Sequence, residues 1–280
     1  VRDFIQTGQG VPKGGIPIPS GASSTPIVRP SPPGAPLTFP TDWVALPALA
    51  PGGSAGPTVL GISTDIVTLL YADPTLVLSQ FPLTAIAADG STMTVNAATP
   101  VTGVNGIRAG DIILFSNALG NAMQMVTATP TTQTVVFALG DSLGLNQRGA
   151  AQGTIMQLQS TPGVFPPTTA TRMLMVSYYI DSTTDTTLPR LVRQVNNGER
   201  RAIALGVENL QFSYDLVDGT TNPSNVETAA APNSPNQIRK ANLYIAARSM
   251  DISLPTHQYI RNSMAEGVGL RSLSFVDRYR

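Results

Sequence analysis

The clearest periodic stretch of the chain is "LQFSYDL", in which Leu210, Phe212, Tyr214 and Leu216 alternate with Gln211, Ser213 and Asp215. Side chains change face at every residue of a strand, so this pattern predicts a strand with one buried face. Shorter apolar runs bounded by turn residues recur at residues 65–74, stopped by Pro74, and at 110–117, opened by a glycine. Residues 121–141 read as two strands around a Pro130-Thr131-Thr132 turn. Residues 171–181 and 189–196 read as a second hairpin joined by a polar loop at 182–188, and 240–250 and 269–280 as two further strands. Helical signal is scarce. It is confined to one turn at 203–208, a short helix at 255–264, and the last turns of a helix at 1–7, where Gly8 supplies the residue that commonly follows a helix C-terminus. Short strands separated by turns predict a single α+β domain dominated by antiparallel sheet rather than βαβ units. The expected core is Ile66, Leu69, Ile112, Leu114, Val126, Val136, Leu174, Val176, Leu210, Phe212, Tyr214, Leu243 and Ile245.

Residues 1–58 break this pattern with twelve Pro and nine Gly. Proline fixes φ and removes a donor, so neither a helix nor a central strand runs through such a segment. Apolar anchors at Ile16, Ile18, Phe39, Trp43, Val44 and Leu46 suit a long loop laid over a core, while the composition alone suits a flexible linker equally well. The expected organisation is a helix end and Pro/Gly-rich loop over 1–58, belonging to the same domain as a β-rich head over 59–280.

Composition narrows the chemistry. Charged residues are 12% of the 280, against roughly 25% in ordinary soluble domains, and 17 basic side chains balance 17 acidic ones. No net charge steers the chain to nucleic acid, and residues 161–280, where eleven of the fifteen arginines lie, hold twelve basic and ten acidic groups. Those arginines are expected to pair with Asp or Glu across strands, or to cover apolar surface with their stems. The absence of cysteine excludes disulfides, thiol nucleophiles and Cys-ligated zinc, and a lone histidine, His257, excludes a multi-histidine metal site. No run of 18 apolar residues is present to cross a bilayer as a helix.

Gly140-Asp141-Ser142-Leu143-Gly144 fits the spacing of a nucleophile elbow and also the Gly-Asp-Ser-Leu opening of a hydrolase family. A serine nucleophile needs a base, and His257 is the one imidazole available. The hydrolase family places Asp three residues before its histidine, where this chain has Leu254, and its oxyanion-hole block is missing too. The string therefore reads as a turn, with no catalytic residue assigned. Two acidic loops, 181–185 and 215–227, offer the oxygen ligands calcium takes, yet Asp, Gly, Asn and Ser are equally turn formers and neither loop has EF-hand spacing. No cofactor or metal is expected.

The order "PRLVRQVN", "AIALGVENLQFSYDLVDG", "QIRKANLYIAARS" and "GVGLRSLSFVDRYR" resembles the PilW-type minor pilins of type IV pili, and "ALGVENLQFSYD" is also similar to the related GspJ-type pseudopilins of type II secretion. "GDIILFSN" and "GTIMQL" match the middle of the PilW pattern, and "RDFIQTGQGVPKGG" the end of its long N-terminal helix. The resemblance implies a pilin-like head with the stub of an N-terminal helix, an apolar helix upstream of Val1, and a structural, non-enzymatic role in filament priming and the tip complex. It implies other minor pilins, the major pilin and a tip adhesin as partners. It places the protein in the inner membrane and periplasm before assembly and on the extracellular filament afterwards. The head alone is expected to be a monomer that binds no nucleic acid. Two other readings compete: an unrelated secreted adhesin or phage-type surface module, and a serine hydrolase built on Ser142.

Overall fold

The computed structural model describes residues 2–76, 78, 83–96, 101 and 106–274. It opens with a five-residue helix, α1 (Arg2–Gln6), ended by Gly8 at φ 87°. The principal strands then follow as β1 (Val67–Ala72), β2 (Thr92–Thr94), β3 (Ile112–Asn117), β4 (Gly120–Met125) and β5 (Thr134–Val136). After them come β6 (Thr169–Asp181), β7 (Arg190–Val195), β8 (Arg200–Leu205), β9 (Val207–Leu216), β10 (Ile238–Ser253) and β11 (Gln258–Gly269). A single helical turn, α2 (Arg271–Ser274), closes the described chain. Every named strand pair is antiparallel, as the spacing of turns predicts.

The thirteen-residue β6 is the spine of a seven-stranded sheet. It pairs with β3 near its start, with β1 through its middle and with β7 towards its end. Beyond these, β4 extends from β3, β8 from β7, and Leu49–Ala50 from β1. A separate three-stranded sheet runs β9-β10-β11, and a small one joins β2 to β5 and to Ala85–Ile86.

The two larger sheets meet at Gly206. Its φ of +68° turns the chain out of β8 into β9, and a Cβ there would lie 2.5 Å from the Arg248 carbonyl oxygen, so only glycine fits. The expected helical turn at 203–208 is therefore a strand, a kink and another strand. The expected helix at 255–264 is likewise replaced by a turn at 254–257 and the strand β11, whose long register with β10 overrides local helical preference. The strand expected at 269–280 ends at Gly269 and gives way to α2, while residues 275–280 lie outside the described residues.

The hairpin expected over 121–141 is also rearranged. β4 returns on β3 through a tight turn in which Asn117 Oδ1 accepts the Leu119 N–H and Gly120 takes φ 145°. β5 pairs with β2 instead, leaving a lone bridge between Ala128 and Val136. The hairpin of β6 and β7 forms as expected.

Residues 2–58 are laid over the core. Ile16, Ile18, Phe39 and Leu46 are buried, joined by Ile27, in a cluster with Ile112, Leu114, Met173 and Met175. Short pairings of Ile16–Pro17 with Ala45–Leu46 and of Val28–Arg29 with Leu37–Thr38 supply backbone partners where proline forbids longer strands. Trp43 is half-buried and Val44 exposed, so the anchoring is uneven. Of the expected core residues, nine are buried. Val136 and Leu174 are half-buried because their neighbours Val135, Met173 and Met175 take the inward positions; Leu243 and Ile245 are half-buried for a reason that bears on function.

Candidate functional site

The short α1 is held by an ionic and aromatic anchor. Phe4 stacks between Tyr178 (ring centroids 6.2 Å) and Phe212 (6.0 Å). The buried carboxylate of Asp3 accepts hydrogen bonds from the hydroxyls of Tyr71 at 2.9 Å and Tyr178 at 2.6 Å, and from Arg193 Nε at 2.7 Å. These donors belong to β1, β6 and β7, so one carboxylate spans three strands of the large sheet. Burial alone would push the Asp3 carboxyl up; donation from Arg193, Tyr178 and Tyr71 outweighs it and holds the group below its ordinary value. Both tyrosines are pushed up, by burial and by the adjacent Asp3 charge.

Beside this anchor the three-stranded sheet offers a half-covered apolar face. Leu210, Phe212, Tyr214 and Leu216 of β9 are 1–4% exposed in the core cluster that includes Phe4. Across the register, Leu210 faces Ile245 on β10 and then Met264 on β11; Phe212 faces Leu243 and then Glu266. Burial falls along each row: Leu210 is 1% exposed, Ile245 half-buried, Met264 56% exposed. Cover stops part-way over the sheet, beside α1, which touches both β11 and α2. The opposite face is polar and carries Gln211, Ser213, Asp215, Lys240 and Asn242, with Lys240 Nζ 3.3 Å from Asp215.

The residues singled out for catalysis or metal binding do not converge. Ser142 Oγ contacts the Met125 sulfur at 3.5 Å, and the neighbouring Asp141 carboxylate accepts the backbone N–H groups of Leu143, Leu145 and Asn146, which shapes the turn. His257 sits exposed at φ 52° in the turn between β10 and β11. Asp181 accepts from the backbone and hydroxyls of Thr183 and Thr184; burial opposes this donation but the carboxyl is lowered to about 2. In the second acidic loop Asp218 accepts from residues 220–222, while Asp215 is engaged by Asn225, Asn242 and Lys240. Among the described residues no three His, Asp or Glu side chains are grouped as a metal would require.

Two features had no signal in the sequence. The anchor on Asp3 joins residues 68 to 190 positions apart. Arg29, one arginine in a proline-rich stretch, is buried at 4% exposure and donates to Thr68 Oγ1 and to the carbonyls of Ala50, Pro51 and Ile66. Comparison with protein-family models, with curated proteins and with solved structures finds no match for this chain.

Proposed function

We propose that the chain is the globular head of a PilW-type minor pilin, a structural subunit of a type IV pilus-like filament. The observation that carries this reading is the burial gradient from Leu210 through Ile245 to Met264, next to a helix end anchored by Asp3 and Phe4. An apolar sheet face left half-covered is the surface on which a helix buries its own apolar stripe. In this reading α1 is the last turn of a longer apolar helix that lies over Leu243, Ile245 and Met264 and then runs into the filament core. The sequence resemblance of residues 189–280 supports the same assignment. Its partners are then other minor pilins, the major pilin and a tip adhesin, and its sites are the inner membrane before assembly and the filament after it. Asp141 accepts the N–H groups of Leu143 and Asn146 and so shapes the turn that carries Ser142, an arrangement that suits a structural subunit.

The test is made in the producing bacterium with the natural full-length protein. Sheared, purified filaments are probed for the chain by mass spectrometry, and surface filaments are counted with and without its gene. The reading expects the chain in the filaments at low copy and a fall in filament number on deletion. Absence from the filaments, with unchanged filament number, overturns it.

A further inference from the structure

A cavity of about 770 Å³ opens between residues 37–43, 51–55 and 228–235, on a part of the molecule not used by the helix anchor. Arg29 lines its deep end. The guanidinium has five N–H groups. Nε–H goes to Thr68, both Nη2 hydrogens to the carbonyls of Ala50 and Ile66, and one Nη1 hydrogen to that of Pro51. The remaining N–H is on Nη1. A Cβ at Gly52 would come within 2.6 Å of that nitrogen and 2.5 Å of the Ile66 carbonyl oxygen, so only glycine lets the backbone of the wall pack against the guanidinium. All of Arg29's hydrogen-bond partners are neutral, and among the described residues no carboxylate pairs with it. Burial lowers its pKa to about 10, which leaves it charged at neutral pH. A buried cation without a counter-charge favours an anion at the one donor left to it.

The rest of the lining is mostly small apolar residues, with two aromatic rings, a few neutral-polar side chains and Asp42 at the rim. The Arg29 guanidinium lies 5.5 Å from the Phe39 ring centroid, and Phe39 stacks on Trp43 at 6.1 Å and 24°. Trp43 is half-buried and presents ring surface to the cavity, where it is joined by the Thr41 hydroxyl and the Asn233 amide, neither of which bonds within the protein. Aromatic ring surface, an unengaged amide and hydroxyl, and a cation at the deep end are the groups that recognise sugar C–H faces, hydroxyls and a carboxylate in turn.

We propose that this cavity binds a carboxylated saccharide, with the carboxylate on Arg29 Nη1 and a pyranose ring against Trp43. Exposed Asp42 at the rim repels the acid group there and so directs it inwards. The proposal goes beyond the filament reading and does not rest on it, since it is tested on the isolated chain.

Trp43 is the sole tryptophan and lines this cavity, so its emission reports on the wall formed by residues 39–43. The probes are digalacturonic acid and its neutral counterpart galactobiose. The expected result is a saturable change in Trp43 emission with digalacturonic acid in the millimolar range, and binding about ten-fold weaker for galactobiose, the loss of one charge-assisted contact. Calorimetry on Trp43→Ala, with circular dichroism to confirm folding, should show no binding heat. Asn233→Ala, a change at a half-buried loop side chain, should weaken binding without unfolding. Absence of saturation with digalacturonic acid, equal affinity for galactobiose, or unaltered binding in both variants overturns the proposal.

Discussion

Arg193 and Asp3 lie 190 residues apart in the chain and 2.7 Å apart in space. Their pairing closes the start of the described chain onto β7, and the hydroxyls of Tyr71 and Tyr178 complete the shell of the same carboxylate. Removing the carboxylate leaves the buried Tyr71 hydroxyl, the half-buried Tyr178 hydroxyl and a partly buried guanidinium without their acceptor. The Arg193 side chain is 30% exposed, so water recovers part of the loss. Asp3→Ala is expected to cost about 2 kcal/mol, a fall of about 4 °C in Tm for a chain of this length. An unchanged thermal melt would show that the anchor adds nothing to stability.

The same carboxylates set an acid limit. Asp3 and Asp181 have folded-state values below their unfolded ones, Asp181 at about 2. Between about pH 4 and pH 2 the unfolded chain therefore binds more protons at these groups, and stability rises with pH there. Their contribution is complete above about pH 4 and is lost as pH falls through the folded values. Burial raises Asp65 and Asp111, which act in the opposite sense, so the measurement is a difference. Urea midpoints of the wild type and Asp181→Asn, followed from pH 6 to pH 2, should converge towards the acid end. Parallel curves would show that Asp181 is not linked to folding.

Arg172 carries the third expectation. Its Nη2 is 2.7 Å from Asp73, and its Nη1 is 3.4 Å from Asp111 and donates to the Gly106 carbonyl at 2.9 Å. Both carboxylates are shielded, and burial already pushes the Asp111 carboxyl up. Arg172→Met keeps the apolar stem but leaves two like charges facing each other. Breaking a buried pair from one side costs about 3 kcal/mol. The triple change Arg172→Met, Asp73→Asn, Asp111→Asn should recover a good part of that loss in denaturant midpoints, since it removes the unpaired charges. A single variant as stable as the wild type would refute the role given to this cluster.

Arg172 also shows what was legible beforehand. The arginines from Arg172 onward are expected to pair with Asp or Glu or to cover apolar surface, and Arg172 within β6 meets Asp73 just after β1 and Asp111 just before β3. The strict alternation from Leu210 to Leu216 likewise fixed the face of β9, because period two is a property of the strand itself. Pairings were less readable. Residues 121–126 and 134–136 alternate equally well with several partners, and the choice falls to Gly120 and Asn117, whose turn closes β4 on β3. The chain from Gln258 to Gly269 carried too little alternation to announce a strand, because its inner face lacks cover before Val268 and is free to hold Asn262 and Glu266. Arg29 and Asp3 were unreadable for a different cause. A buried charge is defined by groups far away in sequence, and nothing local marks it.

The final expectation separates the filament reading from a sheet that is merely exposed. Met264 lies on the half-covered face opposite Ile245, is 56% exposed, and makes little of the head's own core. Met264→Arg should change the stability of the isolated head by no more than about 0.5 kcal/mol, as exposed positions do. Under an apolar helix the same guanidinium would be taken out of water against the helix's apolar stripe, at a cost that separates the helix from the sheet. Ser263 is the control, because it is exposed one residue away, faces the polar side and pairs with Ala246. In the full-length protein, Met264→Arg should vanish from sheared filaments while Ser263→Arg is retained, with both heads melting like the wild type. Equal recovery of the two variants in filaments would mean that nothing covers Ile245 and Met264 in the assembly, and the reading would lose the observation that carries it.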